Sequence, residues 1–271
     1  MKNIKDMALR LLPLSVLMLL KRMHYPRAVR TFSEDDESDL RVVKCLIKPG
    51  DHVVDVGANV GWYTKVLSDL VGKLGCVYSI EPIPVTFELL SCCVEKLKLS
   101  NVRLLNCGVS QHDGMTTMEV PKFGSGGDNF YQARIAGSHQ ENWNEALRHY
   151  VVSLKSLDTL FADTSTRITF IKCDVEGHEL SVVKGAAELA AKFKPAWLIE
   201  ASGDPDSSSS EDFELFRILQ EEGYSVWLFD GKYLRTRCTG DKAVNYFFLT
   251  KDHIDLVKGL LPETVSASRG L

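Results

Sequence analysis

Two groups of residues in this chain could do chemistry. The first is Asp55, Gly57, Ala58, Asn59 and Gly61, with Glu81 twenty positions beyond Gly61; the second is Lys172, Asp174, Glu176, His178 and Glu179 around Gly177. Glycines at 57 and 61 remove side chains where a backbone must turn tightly and let a ligand come close. Asn59 tolerates the left-handed angles such a turn uses. An acid one strand after the loop, as Glu81 is, can accept two hydrogen bonds from a ribose diol. Carboxylates gathered at a strand end, as in the second group, can hold or receive a proton.

Which ligand the loop takes depends on its details. A nicotinamide dinucleotide wants G-x-G-x-x-G, and Asn59 stands where the second glycine would let a pyrophosphate approach. A loop of the form D-x-G-x-x-x-G suits a ligand that carries an amino acid, because the acid helps to hold an ammonium group while loop N–H groups meet a carboxylate. S-adenosylmethionine has both groups and a ribose for Glu81.

The elements that must position these residues can be read from apolar patterning. Residues 52–56 form an apolar, β-branched run, the signature of a strand covered on both faces. A helix follows over 61–70, so the loop ends at a helix N-terminus, where free N–H groups favour an anion. Further strands are predicted at 76–82, 102–109, 116–120, 168–174, 196–201, 224–229 and 243–250, with helices at 40–47, 84–99, 179–191 and 211–222. Strands alternating with helices imply right-handed crossovers and a doubly wound α/β sheet with ligands at the carboxyl ends of its strands. Asp174 and Glu200 both fall at such ends.

The segments DVGANVGWYT (55–64), IEP (80–82), SLDTL (156–160) and IKCDVEGHE (171–179) together resemble the FkbM family of S-adenosylmethionine-dependent methyltransferases, in that family's order. The resemblance implies a seven-stranded, Rossmann-like class I sheet with an antiparallel last strand. It implies that Asp55, Gly57, Asn59 and Gly61, with Ala58 between them, form the methionine-end loop and that Glu81 binds the ribose. Asp174, Glu176, Gly177 and Glu179 match the second signature, with His178 at its variable position. The implied activity is methylation of a hydroxyl on a sugar, glycolipid or secondary metabolite. Transfer from a sulfonium is an in-line displacement, so positioning is most of the catalysis. Asp174 is the first candidate to take the hydroxyl proton, Glu200 the second and His178 the third. Bland roles compete: a loop cap for Asp55, an ion pair with Lys172 for Asp174, a surface position for His178.

Length and composition suit one such domain. The 271 residues are 45% hydrophobic and 25% charged, ordinary for a globular protein. A net charge of −4 and a pI near 6.0 offer nucleic acid no general attraction, so a small-molecule or glycan acceptor is expected instead. Seven cysteines without a C-x-x-C pair read as reduced core residues of a cytoplasmic protein, and no spacing selects a metal. Residues 1–39 read as a helical arm and acidic linker, 40–255 as the catalytic domain and 256–271 as a tail. Within the arm, residues 7–20 are apolar but too short to span a bilayer. They suit either a helix docked on the domain or one lying peripherally on anionic lipid. The glycine- and aromatic-bearing stretch 121–150 is the expected acceptor cover, with 203–212 as the other wall. Two alternatives carry different functions: a nicotinamide-dependent oxidoreductase, which lacks an evident hydride-transfer set here, and a binding module that kept the fold without the chemistry.

Overall fold

The computed structural model describes residues 14–121, 134–135 and 147–262. At its centre lies β1 (His52–Val56), flanked in parallel by β2 (Cys76–Ile80) and β8 (Ile168–Cys173). Parallel β3 (Val102–Leu105) and β9 (Ala196–Glu200) extend the sheet on either side. The alternation of β strands sends neighbouring side chains to opposite faces. Val54, Ile171 and Trp197 enter one buried cluster with Val182, Leu189 and Leu215. Val53, Phe170 and Leu198 enter a second with Val42, Leu67 and Ile254. The helices supplying those partners are α2 (Leu40–Leu46), α3 (Trp62–Val71), α6 (Glu179–Lys184), α7 (Ala187–Phe193), α8 (Glu211–Glu221) and α9 (Lys251–Leu256). Two covered faces explain why β1 carries valines at 53, 54 and 56.

The last strand, β12 (Asn245–Leu249), runs antiparallel to both neighbours, β9 and β10 (Ser225–Phe229). The sheet has eight strands rather than the expected seven, in the order β11-β10-β12-β9-β8-β1-β2-β3. The extra strand, β11 (Leu234–Thr236), forms a hairpin with β10. Its turn is built by Asp230, whose Oδ1 accepts from the N–H groups of Lys232 (2.8 Å) and Tyr233 (2.7 Å), and by Gly231 at φ 90°. Three residues are too few for an alternation to register.

A second sheet went unread in the sequence. It has the order β4-β7-β5-β6, from β4 (Gly108–Val109), β5 (Gly114–Val120), β6 (Arg134–Ile135) and β7 (Arg148–Lys155). The predicted strand 102–109 is therefore two strands in two sheets. The predicted helix 179–191 is likewise two, broken at Gly185, where a Cβ would stand 2.1 Å from the Ser110 carbonyl oxygen.

Two helices remain. α4 (Pro84–Leu97) connects β2 to β3, and α1 (Leu14–Thr31) packs on it, with Met18, Tyr25 and Val29 against Leu89, Cys93 and Leu97. Arg22 pairs with Glu88 at 3.0 Å across this contact. Among the described residues no helix is long and apolar enough to cross a membrane. The expected acceptor cover, 121–150, lies largely outside the described residues, which there include only 121, β6 and 147–150 at the start of β7.

Candidate active site

The glycine loop is shaped by close backbone approach. Gly57 has φ 77°, Asn59 50° and Gly61 101°, and a Cβ on Gly57 would stand 1.8 Å from the Asp174 carbonyl oxygen. Glycine is required at 57 twice over, by its left-handed backbone and by the end of β8. The turn folds back on β2: the N–H groups of Gly57 and Ala58 both donate to the Ile80 carbonyl at 3.0 Å. Asn59 N–H donates to Glu81 Oε2 at 3.0 Å. These three loop donors are thus spent within the protein, contrary to the expectation that they meet a ligand carboxylate. The first turn of α3, residues 62–64, has N–H groups without intrahelical partners, which could meet an anion instead.

Glu81 is buried, and its other oxygen accepts from Ile83 N–H at 2.9 Å. Burial pushes its carboxyl up to about 7, against the pull of those two N–H groups. Each oxygen accepts one hydrogen bond and keeps capacity for another, which a diol can use.

Asp55 is fully buried. Its Oδ2 accepts from Thr64 Oγ1 at 2.6 Å, and Thr64 is tied in turn to Ser79 at 2.9 Å. Its Oδ1 has no hydrogen-bond partner. Burial raises the Asp55 pKa, opposed by Lys172 and Thr64. An unpartnered oxygen on a buried carboxylate is costly unless a donor arrives. Beside it, Lys172 Nζ pairs with Asp174 Oδ2 at 2.7 Å and lies 5.0 Å from the Tyr63 ring centre. Burial opposes the lysine's charge, yet Asp174 and Asp55 outweigh it and its pKa is raised. The expected ion pair of Asp174 with Lys172 is present, and Asp174 Oδ1 stays outside it.

The second motif divides into separate places. Buried Glu179 ties its own turn, its Oε1 accepting from Val175 N–H (3.2 Å) and Gly177 N–H (3.1 Å). Glu176 sits exposed on that turn at φ 56°; partial burial, then Asp174 and Glu200, push it to about 7. Glu200, at the tip of β9, is pushed to about 7 by burial and next by Asp174. His178 bonds Ser110 Oγ at 2.9 Å through Nε2, and burial lowers its pKa.

Two cavities share Gly57 on their rims. The larger, about 520 Å³, is lined by Asp55, Asn59, Tyr63, Lys172 and Asp174 and closed by Phe32 and Glu37 from the segment between α1 and α2. The smaller, about 30 Å³, lies among Gly57, Pro82, Gly108, Met118, Leu154 and His178. His178 is therefore on the far side of the loop from Lys172 and Asp174. The loop 203–212 contributes Pro205 and Asp206 to a third cavity, beside β10 and β11, and not to the larger one. The sequence does not single out Tyr63, Thr64 or Glu37: Tyr63 and Thr64 lie just after Gly61 at an expected helix start, and Glu37 lies in an acidic run that reads as a spacer.

The methyltransferase FkbM domain matches residues 55–226, more than half the chain and every element that builds the two cavities at Gly57 except α1 and its linker. The chain belongs to the FkbM methyltransferase family. The family is one of S-adenosylmethionine-dependent methyltransferases, and the nicotinamide alternative falls with that assignment. Among curated proteins it is similar to the protein-L-isoaspartate O-methyltransferase of Methanococcus aeolicus, 37% identical over 62 residues, 23% of this chain and 28% of that one. The chain thus spans less than a third of that relative's length. Among solved structures it is similar to the methyltransferase FkbM of Methylobacillus flagellatus KT, at TM-score 0.48 and 17% identity over 85% of this chain and 60% of that one. It is also similar to the fibrillarin of Aeropyrum pernix in complex with bound S-adenosyl-L-methionine, at TM-score 0.45 and 13% identity over 78% and 74%. The residues present fit the family's cofactor: the buried orphaned oxygen of Asp55 suits an ammonium, and Glu81 retains acceptor capacity for a ribose.

Proposed function

We propose that this methyltransferase acts on a hydroxyl of a small-molecule or glycan acceptor, a sugar, glycolipid or secondary metabolite, that enters the larger cavity. Asp55 would hold the cofactor's ammonium, the first turn of α3 its carboxylate and Glu81 its ribose. The cofactor supplies an electrophilic methyl group there. The observation carrying the reading is the position of Asp174 in the same cavity as Asp55, with Oδ2 fixed by Lys172 and the side chain still 30% exposed, which leaves Oδ1 capacity to accept. That oxygen accepts the acceptor's hydroxyl hydrogen bond, orients the oxygen lone pair and receives the proton as the new C–O bond forms. Glu200, with a proton affinity near neutrality, is the second candidate for the proton; His178, across the loop, is not proposed for it. Four acids and one lysine line the larger cavity, which disfavours a polyphosphate acceptor such as nucleic acid.

The test is methyl transfer from labelled cofactor to neutral hydroxylated acceptors, to amines and to RNA, with titration calorimetry of cofactor binding to the wild type and Glu81→Ala. Label on hydroxylated acceptors, with binding lost in Glu81→Ala, is the expected result. Label on RNA or amines alone overturns the acceptor reading.

A further inference from the structure

The side of α1 turned away from the protein is apolar. Val16, Leu19, Leu20 and Met23 are 37%, 58%, 44% and 47% exposed, and their spacing of i, i+3, i+4 and i+7 makes them one stripe. Exposed Arg27 and Arg30 continue it: at about 100° per residue, the six side chains fall within about 100° of the helix circumference. The packed side chains, Met18, Tyr25 and Val29, lie on the opposite face. Apolar residues scattered singly on a surface need no explanation, whereas a contiguous stripe calls for a partner. The chemistry of that partner is set by charge. α1 holds Lys21, Arg22, Arg27 and Arg30 and no acid, in a chain of net charge −4.

We propose that this face of α1 docks on an anionic lipid bilayer, with the four apolar side chains in the headgroup boundary and Arg27 and Arg30 on the headgroup charges. An apolar stripe bordered by cations is the pattern of helices lying in the interface plane. The thirteen residues before α1 add Lys2, Lys5 and Arg10 against one acid, among Met7, Leu9, Leu11 and Leu12. A second copy of the chain fits less well, because the stripe would bring arginines into an apolar contact with no acid on α1 to pair them. The C-terminal end of α1 contributes Ala28 and Thr31 to the wall of the larger cavity, so docking sets the acceptor site beside the headgroups and favours an acceptor hydroxyl on a lipid-anchored molecule. Only this consequence rests on the methyl-transfer reading; the docking itself does not.

The experiment is co-sedimentation of the full chain with vesicles of phosphatidylcholine, with and without phosphatidylserine. The wild type should pellet with the anionic vesicles and stay in solution with the neutral ones. Leu19→Asp with Leu20→Asp, and separately Arg27→Glu with Arg30→Glu, should each lower the bound fraction on the order of tenfold, with unchanged melting temperature since all four positions face solvent. Wild type left in solution with both vesicle types overturns the proposal. So does a dimer by sedimentation velocity that Leu19→Asp with Leu20→Asp dissociates, since the face is then a contact between copies. Titration with S-adenosylmethionine on the same samples separates the two readings: unchanged cofactor affinity with lost vesicle binding isolates docking, and absent affinity in wild type that still pellets strikes the methyl-transfer reading alone.

Discussion

The two cavities on either side of Gly57 are built on different principles. The larger is walled by charges, buried Asp55 and Lys172 and part-exposed Asp174, held on the carboxyl ends of neighbouring strands β1 and β8. The smaller is walled mainly by apolar side chains, and Met118, Ile135 and Leu154 reach it from the second sheet. Its volume of about 30 Å³ is far below the roughly 300–1,000 Å³ of ordinary ligand sites, so on the proposed reading a nucleoside held by Glu81 would enter there only if that sheet yields. The charges at the strand ends are fixed by the Thr64 hydroxyl on Asp55 and by the Lys172–Asp174 ion pair, and they form the rigid half. An apolar contact between two sheets is non-directional and can slide, which suits the half that must open.

The largest effect should come from the residue both cavities share. Gly57→Ala puts a methyl against the Asp174 carbonyl at a positive φ, a strain of about 1–3 kcal/mol before any clash is counted. It should abolish measurable cofactor binding by calorimetry and lower the melting temperature. Binding at wild-type affinity would mean that the loop and β8 are not locked together. Asp55→Asn keeps an acceptor for Thr64 but removes the charge at the orphaned oxygen. Cofactor affinity should fall about tenfold to a hundredfold, the worth of a hydrogen bond to a charged group at about 1.5–3 kcal/mol. An unchanged dissociation constant would remove Asp55 from the ammonium site.

Asp174→Asn sharpens the contrast between binding and chemistry in the charged half. Loss of a general base costs typically about 10²- to 10⁴-fold in rate, so kcat should drop by that order while the cofactor dissociation constant stays within a few-fold. A fall in cofactor binding as large as the fall in kcat would make Asp174 part of the cofactor site only. Met118→Ala probes the other half. It removes a buried side chain from the contact between the sheets, which lowers stability by up to about 2–5 kcal/mol. It should also ease entry of the nucleoside, raising the cofactor association rate in stopped-flow mixing. A slower association would show that Met118 grips the nucleoside and does not bar it.

The same contrast explains what could be read in the sequence. The charged half lies within two short segments, 55–64 and 171–179, where glycine, acid and strand patterning are local, and the placement of Asp55, Glu81 and Asp174 at strand ends followed. The apolar half depends on pairing at long range. Gly114–Val120 meets Arg148–Lys155 across some thirty residues, and Val151 on that strand is 68% exposed, so no buried alternation marks it. Gly185 reads as an ordinary helical residue until Ser110, from a distant turn, lies against it. The acids of residues 34–39 read as a solvated spacer, yet chain folding between α1 and α2 turns Asp36 and Glu37 toward the glycine loop.

The smallest expected effect concerns Glu200, at the edge of the charged half. Its carboxyl is raised from 4.5 to about 7, by burial first and by Asp174 next. Between those values the folded protein holds a proton that the unfolded chain has released, so the stability from this group is full below about 4.5 and is lost as the pH rises through about 7. Glu200→Gln is neutral at every pH and should therefore gain in melting temperature relative to wild type from pH 5 to pH 8, by a few degrees at most because the side chain is only half-buried. Cofactor affinity should not change, since Glu200 is not among the residues proposed to hold the cofactor. A melting difference flat across that range would show that Glu200 is solvated and outside the field of Asp174, and the charged half would then end at Lys172. A difference that grows, together with a rate that loses its dependence on pH near 7, would extend that half to β9 and make Glu200 a partner of Asp174 in receiving the proton.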